Sequence, residues 1–175
     1  MNARFADPQE NLLQMGIEEG MKIGDFGAGT GHYAVAAAGV VGPSGKVYAI
    51  DVQEDVAAHL RGYANRYPQI EAIWGDIERT GGTGLRDRAL DAAILSNVLF
   101  QVAHTGPLLA EVRRVLRREG KLLVIDWAGS GAGPAAHLIF PEQKAETLFI
   151  GGGFRKVKNI NAGPYHYGIL FAAPL

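Results

Sequence analysis

The stretch Asp25-Phe26-Gly27-Ala28-Gly29-Thr30-Gly31 decides how this chain reads. An apolar run at 21–26 leads into it and an alanine-rich run at 32–41 follows. That is the pattern of a strand passing through a glycine turn into a helix that lies close to a sheet. Glycines at such a turn let the backbone bend sharply and bring N–H groups against a ligand at the helix start.

Outward from this turn, strands and helices alternate. The spacing predicts a short helix at 11–15 closed by Gly16, strands at 21–26, 46–51 and 70–74, and helices at 32–41 and 54–67. Glycine and proline at 42–45 stop the first of these two helices, and Pro68 ends the second. A turn-rich segment at 78–87 reads as a surface loop. Residues 90–95 form a nearly unbroken apolar run, as in a strand buried on both faces. Leu108, Leu109, Val112, Val115 and Leu116 fall at helical spacing within 107–118. A strand at 121–127, a glycine-rich break at 129–134 and a helix at 141–150 follow. Runs at 154–160 and 165–172 flank Asn161-Ala162-Gly163-Pro164 and read as an antiparallel hairpin. The expected fold is α/β: a Rossmann-like, doubly wound, seven-stranded and mostly parallel sheet with an antiparallel terminal hairpin and helices on both faces.

The 175 residues fit one domain with a minimal N-terminal cap, since only residues 1–20 precede the first strand. Lys plus Arg number 17 and Asp plus Glu 18, for a formal charge of −1, so overall charge favours no nucleic-acid partner. Arg113, Arg114, Arg117 and Arg118 read as the polar face and C-terminal end of a helix, where cations favour the dipole. With no cysteine, disulfides, thiolate metal sites and cysteine nucleophiles are excluded. Residues 1–14 lack the basic and apolar regions of a signal peptide, and no apolar run approaches a membrane span. A cytoplasmic enzyme or binding module is expected. The histidines suggest no metal: His59 reads as helix surface, and His137 and His166 have no clustered partner.

The glycine turn alone is ambiguous. From Gly29 to Ala34 it also fits the dinucleotide fingerprint G-x-G-x-x-G/A, with Asp51 at a suitable distance. Charge separates the readings. Asp25 sits at the mouth of the turn, where it would repel a pyrophosphate by several kcal/mol if poorly solvated. S-adenosylmethionine has no phosphate; it carries an ammonium and a sulfonium, which nearby negative charge favours. Asp51 ends the second strand and can accept both ribose hydroxyls. Asp76 ends the third and can accept from the adenine amine. Each alone also reads as a turn former or helix N-cap. Together the three line one edge, where a ligand lies across the strand ends of an open parallel sheet.

The segments at 24–33, 45–52, 75–77, 90–99 and 111–123 resemble class I S-adenosylmethionine-dependent methyltransferases. The branch resembled is that of the ubiquinone/menaquinone-biosynthesis C-methyltransferases, the type 11 methyltransferases. The segments occur in family order over residues 8–128, with the family's terminal hairpin after them. The resemblance implies a cofactor site of Asp25, Gly27, Gly29, Gly31, Asp51, Val52, Asp76, Ile77 and Asn97, with S-adenosyl-L-homocysteine as product. It implies nothing specific about the acceptor. Members of the branch carry extra N-terminal helices where this chain has its short cap, and Glu119-Gly120 replaces their paired glycine.

Methyl transfer from a sulfonium is an in-line displacement that asks mainly for proximity in a desolvated pocket. A base is needed only if the acceptor must lose a proton. Four residues are candidates at the reactive end. Asn97 reads as a cofactor or substrate contact or a turn cap, and His104 as a base near the methyl group or a solvated turn residue. His32, starting a helix, reads as a neutral hydrogen-bonding group. Asp126 reads as an acceptor contact, and Trp127 after it as a pocket wall or packing. No Asn-Pro-Pro-Tyr-like tetrapeptide follows the fourth strand, which disfavours amino-methylation of adenine or glutamine. The lack of cysteine disfavours cytosine-C5 methylation and thiol-based arsenic chemistry. The leading reading is methyl transfer to a small-molecule acceptor, with no nucleic acid or membrane, and with a homodimer as one way to complete the cap. The alternatives are a cofactor-binding subunit or regulator without catalysis, and a nicotinamide-dependent oxidoreductase.

Overall fold

Alternation along the strands sorts their side chains onto two faces, and each face is covered by its own helices. In the computed structural model, residues 6–129 and 133–175 are described. The expectations for residues 1–5 and for the centre of the 129–134 break lie outside them. Parallel strands β1 (Lys22–Phe26), β2 (Lys46–Asp51), β3 (Ile70–Trp74), β4 (Leu90–Ser96) and β5 (Leu116–Trp127) join an antiparallel hairpin of β6 (Arg155–Ile160) and β7 (His166–Ala172). The seven-stranded order is β3-β2-β1-β4-β5-β7-β6. The chain reverses its direction of sheet growth between β1 and β4, the place where open α/β sheets bind ligands.

On one face, Ile23, Ala49, Ile94, Leu123, Ile125 and Leu170 pack against α1 (Pro8–Met15), α2 (His32–Val41) and α3 (Glu54–Arg61). On the other, Phe26, Leu95, Val124 and Phe171 pack against α4 (Thr105–Val115) and α5 (Glu142–Gly151). The doubly wound, mostly parallel sheet with a closing hairpin is as the sequence predicts. In α2 the alanines Ala34, Ala37 and Ala38 are buried against the sheet, which explains the helix's close approach. Asp7 caps α1 by accepting from the backbone N–H groups of Gln9 (3.0 Å) and Glu10 (3.4 Å), with Pro8 opening the helix. Gly16 closes it in the left-handed conformation.

Three helices differ from the sequence reading by more than a residue. α1 starts three residues earlier than the expected residue 11, at the Asp7-Pro8 signal. The helix expected over 54–67 ends at Arg61 and tightens into a 3₁₀ turn at Gly62–Asn65. The helix expected over 107–118 starts at Thr105 and stops at Val115, and Leu116 pairs with Leu90 in β5. Arg117 and Arg118 therefore belong to a strand rather than to a helix end, and Arg117 bonds Asp91 at 3.0 Å. Helix propensity favours the Leu-Arg-Arg run, but burial of Leu116 and its pairing with Leu90 override it. No helix among the described residues is long and apolar enough to cross a membrane.

Candidate functional site

The carboxyl edge of the sheet, on either side of the β1/β4 reversal, carries two adjoining cavities. The larger, about 1000 Å³, includes Asp25, Gly27–Thr30, His32, Tyr33, Ser96, Asn97, Gln101, Trp127 and His166 in its walls. The smaller, about 470 Å³, includes Asp51, Val52, Asp76, Ile77, Val98 and His104. Gly27 and Gln101 border both. The start of α1, from Ala6 to Gln9, forms part of the larger cavity's wall.

The glycine turn is held open by backbone geometry. Gly27, Gly29 and Gly31 all have positive φ (74°, 51° and 81°), a conformation that favours glycine. A Cβ on Gly27 would meet Val98 at 2.7 Å and one on Gly31 would meet Leu60 at 2.8 Å, whereas one on Gly29 would extend into open space. Gly27 and Ala28 donate their N–H groups to the Ile50 carbonyl at 2.9 and 3.0 Å, fastening the turn to β2.

The acids differ in environment. Asp25 is buried at 2% exposure and its Oδ2 has no hydrogen-bond partner. Burial, reinforced by the nearby Asp51 charge and opposed by a backbone bond from Ala34, pushes its carboxyl up to about 7. Asp51 accepts the Gly29 N–H on Oδ2 and the Gln53 N–H on Oδ1, both at 3.0 Å. A carboxylate has about four lone-pair sites, so capacity remains for a ligand. Asp76 is exposed and accepts the Glu78 N–H at 2.8 Å. Val52 is exposed and Ile77 half-buried beside these acids. Trp74 donates its indole N–H to the Val52 carbonyl at 2.9 Å and steadies the loop after β2.

Asn97 sits at φ 58°, a left-handed position that asparagine tolerates better than most residues. Its N–H donates to the Ile125 carbonyl at 2.9 Å, while its buried side-chain Oδ1 has no partner. Two unpartnered acceptor oxygens, on Asp25 and Asn97, thus face the reversal point. Such groups are costly unless a donor or cation arrives.

The sequence candidates separate on this frame. Asn97 and His32 line the larger cavity with Asp25. His104 lines the smaller cavity with Asp51 and Asp76 and not the larger one, and its backbone N–H donates to Glu78 at 2.6 Å. That places it among the residues read for the ribose and adenine rather than beside Asp25. Asp126 is fully buried and lines neither cavity. Its oxygens accept the N–H groups of Leu99 and Trp127, both at 2.8 Å, so its reading as an acceptor contact is corrected to that of a loop anchor. Burial raises it to about 6, against the opposing backbone bonds.

His166 is a residue the sequence reading did not assign to the site. It pairs with Trp127 across the β5/β7 ladder, with ring centroids 4.3 Å apart, and both its ring nitrogens are without a partner. Burial holds its imidazole below the usual range. Strand alternation was the available signal: Trp127 follows Leu123 and Ile125 on one face, and His166 precedes Leu170 on the same face. Tyr33, half of a buried pair in which the Asn11 amide donates to its hydroxyl at 2.8 Å, was likewise unassigned.

Comparison with known proteins agrees with this architecture. The model of a methyltransferase-domain family matches residues 24–124. A 37.1 kDa protein encoded in a transposon of Streptomyces fradiae is 36% identical over 129 residues, 73% of this chain and 33% of that protein. The ubiquinone/menaquinone biosynthesis C-methyltransferase of Cupriavidus necator is 30% identical over 118 residues, 67% of this chain and 47% of that one. The chain thus spans half or less of the length of these relatives. The crystal structure of an S-adenosylmethionine-dependent methyltransferase from Aquifex aeolicus superposes with a TM-score of 0.88 at 26% identity, covering 96% of this chain and 90% of that one. With the glycine turn, the acids at the strand ends and a family model over more than half its length, the chain belongs to the methyltransferase-domain family, in its S-adenosylmethionine-dependent class I branch.

Proposed function

We propose that this chain transfers a methyl group from S-adenosylmethionine to a small-molecule acceptor and releases S-adenosylhomocysteine. The observation that carries the reading is Asp25: a buried carboxylate with an unpartnered oxygen, at the mouth of a glycine turn, in the wall of a large cavity. That environment favours a cation and disfavours a phosphate. S-adenosylmethionine supplies an electrophilic methyl on a sulfonium, whose departure leaves a neutral thioether.

In this reading Asp25 and Asn97 hold the cationic amino-acid end, with Gly27, Gly29 and Gly31 giving the close backbone approach. Asp51 accepts the ribose hydroxyls, Val52 and Ile77 flank the base, and Asp76 takes the adenine amine. His104 lies beside the adenosine in that arrangement. The remainder of the larger cavity, between α1 and the ends of β4, β5 and β7, receives the acceptor. Residues 1–175 act as one domain for this purpose, in a cytoplasmic setting.

Calorimetric titration with S-adenosylhomocysteine, with NADH in parallel, tests the reading. The expected result is micromolar-range binding of the first, about −8 kcal/mol, and none of the second. A folded sample that ignores S-adenosylhomocysteine refutes the proposal; one that binds NADH instead restores the oxidoreductase reading. A sample that binds S-adenosylhomocysteine but methylates no acceptor until a partner protein is added is a cofactor-binding subunit.

A further inference from the structure

We propose that His166 takes the proton from an acidic, phenol- or enol-type hydroxyl of the methyl acceptor, which lies against the Trp127–His166 ring pair. This rests on the methyl-transfer reading above, and it adds a residue and a class of acceptor to it.

Strand parity carries the placement. Asp25 on β1, Ser96 on β4, Trp127 on β5 and His166 on β7 share the wall of the larger cavity at the carboxyl edge of the sheet. Asp25 lies on the cofactor-facing side of the β1/β4 reversal, and Trp127 and His166 lie two and three strands from β1 on the other side. An acceptor between these groups has the cofactor on one flank and the ring pair on the other.

The imidazole faces the cavity with both nitrogens free to meet a ligand. His166 is 6% exposed, and among the described residues neither ring nitrogen has a hydrogen-bond partner. Packing against Trp127 at 4.3 Å fixes the plane of the ring. A buried polar group left unpaired is destabilising unless a ligand completes it. The other titratable groups in the same wall are Asp7, Asp25, His32, Tyr33 and Tyr67.

The imidazole's basicity selects the acceptor. Burial holds it neutral and makes it a weaker base than a solvated histidine. A hydroxyl of phenolic acidity, near 10 as in tyrosine, is within reach of such a base. A hydroxyl of water-like acidity, near 16, gives its proton to the same base several pKa units less favourably. In the transfer, the acceptor O–H bond breaks and its proton passes to a ring nitrogen. The electron pair left on oxygen forms the bond to the methyl carbon, and the pair of the breaking S–C bond returns to sulfur. The imidazolium then loses its proton to solvent.

The test uses the full chain saturated with S-adenosylhomocysteine and two planar probes, phenol and anisole. The His166 ring signals are followed by NMR and assigned through their contact with the Trp127 indole. Phenol is expected to shift them saturably, at least threefold more tightly than anisole, which has no proton to give. In His166→Phe, which keeps an aromatic ring against Trp127 and removes both nitrogens, the preference for phenol is lost while S-adenosylhomocysteine affinity stays within twofold. Signals that ignore phenol, or respond equally to both probes, overturn the role of His166 and leave the cofactor reading intact. So does a variant in which S-adenosylhomocysteine affinity collapses in a folded protein, because His166 would then serve the cofactor. A wild-type protein that does not bind S-adenosylhomocysteine removes the methyl-transfer reading itself, and this inference with it. The comparison of phenol with anisole on the wild-type chain decides the matter even if the variant does not fold.

Discussion

The Gly29 backbone N–H donates to Asp51 Oδ2 at 3.0 Å, so the residue at the end of β2 fixes the conformation of the glycine turn. Its second oxygen holds the Gln53 N–H, also at 3.0 Å, and shapes the next loop. Asp51 is therefore both a scaffold for the turn and the proposed ribose acceptor. Asp51→Ala removes charged acceptors worth about 1.5–3 kcal/mol each. S-adenosylhomocysteine binding is expected to weaken at least about a hundredfold. Asp51→Asn keeps one acceptor for Gly29 and should lose less. Calorimetry on both variants measures this, and unchanged affinity in Asp51→Ala would remove Asp51 from the site.

Gly29 makes a separate prediction because its missing side chain would meet nothing nearer than the Gly27 carbonyl at 4.0 Å. Valine there is strained by the positive φ and would project into the turn's concavity. Gly29→Val should abolish detectable S-adenosylhomocysteine binding while the thermal midpoint falls by only a few degrees, a cost of about 1–2 kcal/mol. Gly31→Val should instead unfold the local packing, since its Cβ would strike Leu60 and Tyr63. If Gly29→Val bound normally, the open space above the turn would not be where the ligand lies.

Asp25 gives both stability and binding a pH dependence of defined sign. Its carboxyl is raised from 3.8 to about 7 in the folded protein. Between those values the folded state holds a proton that the unfolded state has lost, so stability falls as pH rises from about 4 to 7 and is level above. The total is on the order of 4 kcal/mol. Binding of the ammonium group of S-adenosylhomocysteine favours the carboxylate, so below pH 7 it must expel that proton. S-adenosylhomocysteine affinity should therefore rise by up to about tenfold per pH unit between 5 and 7, then flatten. Asp25→Asn should flatten the affinity profile and remove Asp25's share of the stability slope, leaving the smaller share of Asp126, which burial raises to about 6. A wild-type affinity that is flat from pH 5 to 8 would count against Asp25 as the cation's partner.

The first half of the sheet was legible in the sequence for a physical reason. From β1 to β4 each strand is a short run carrying apolar residues, with glycine or proline close to an end of β1, β2 and β3, and the expected strands agree with the structure to within a residue. The end of α4 was not, because Leu116-Arg117-Arg118 has good helix propensity and only the distant partner Leu90 makes it a strand. Glu119, at φ 56°, then turns the chain toward Gly120 where a second glycine would have announced the break. In the site, the acids at the strand ends could be read from spacing alone. Asp126 and His166 could not: alternation puts Asp126 and Trp127 on opposite faces, and it sets His166 beside Trp127 only once the hairpin register is known. Asp126 turns away to bind the Leu99 N–H, whereas Trp127 joins His166 at the cavity wall. A hairpin register was needed to bring residues 127 and 166 together.

Asp126 should act through the loop it anchors. Its two oxygens hold the N–H groups of Leu99 and Trp127, and that loop carries Asn97, Val98 and Gln101 into the cavity walls. Asp126→Asn places an N–H₂ where one of these donors points, at a cost of about 1–3 kcal/mol. The expected result is a lower thermal midpoint and an affinity loss for S-adenosylhomocysteine that is smaller than in Asp51→Ala. A loss larger than that of Asp51→Ala, without destabilisation, would mean that Asp126 touches the ligand after all.

Glu111 tests how the loop below the smaller cavity is held. Its buried carboxylate accepts from Gly81 N–H at 2.7 Å and from Thr83 N–H at 3.2 Å and Oγ at 2.5 Å, and it pairs with Arg114, which also reaches Asp87. Although burial pushes the carboxyl up, the guanidinium of Arg114 and the bonds from Thr83 and Gly81 outweigh it and hold the group at about 2. A depressed acid contributes stability that is fully present above its ordinary value of 4.5 and is lost as pH falls toward 2. Glu111→Ala leaves the Arg114 charge half-buried and the Gly81 N–H, Thr83 N–H and Thr83 hydroxyl without their acceptor, a loss of about 3 kcal/mol at neutral pH. For a domain of this size that lowers the thermal midpoint by about 6–12 °C. The difference between wild type and variant should shrink steadily from pH 4.5 toward 2, because over that range the unfolded wild-type chain takes up a proton at Glu111 that the folded, Arg114-paired carboxylate does not. A gap that persists undiminished at pH 2.5 would show that Glu111 serves by packing and neutral hydrogen bonds, and that its charge contributes little to holding the loop.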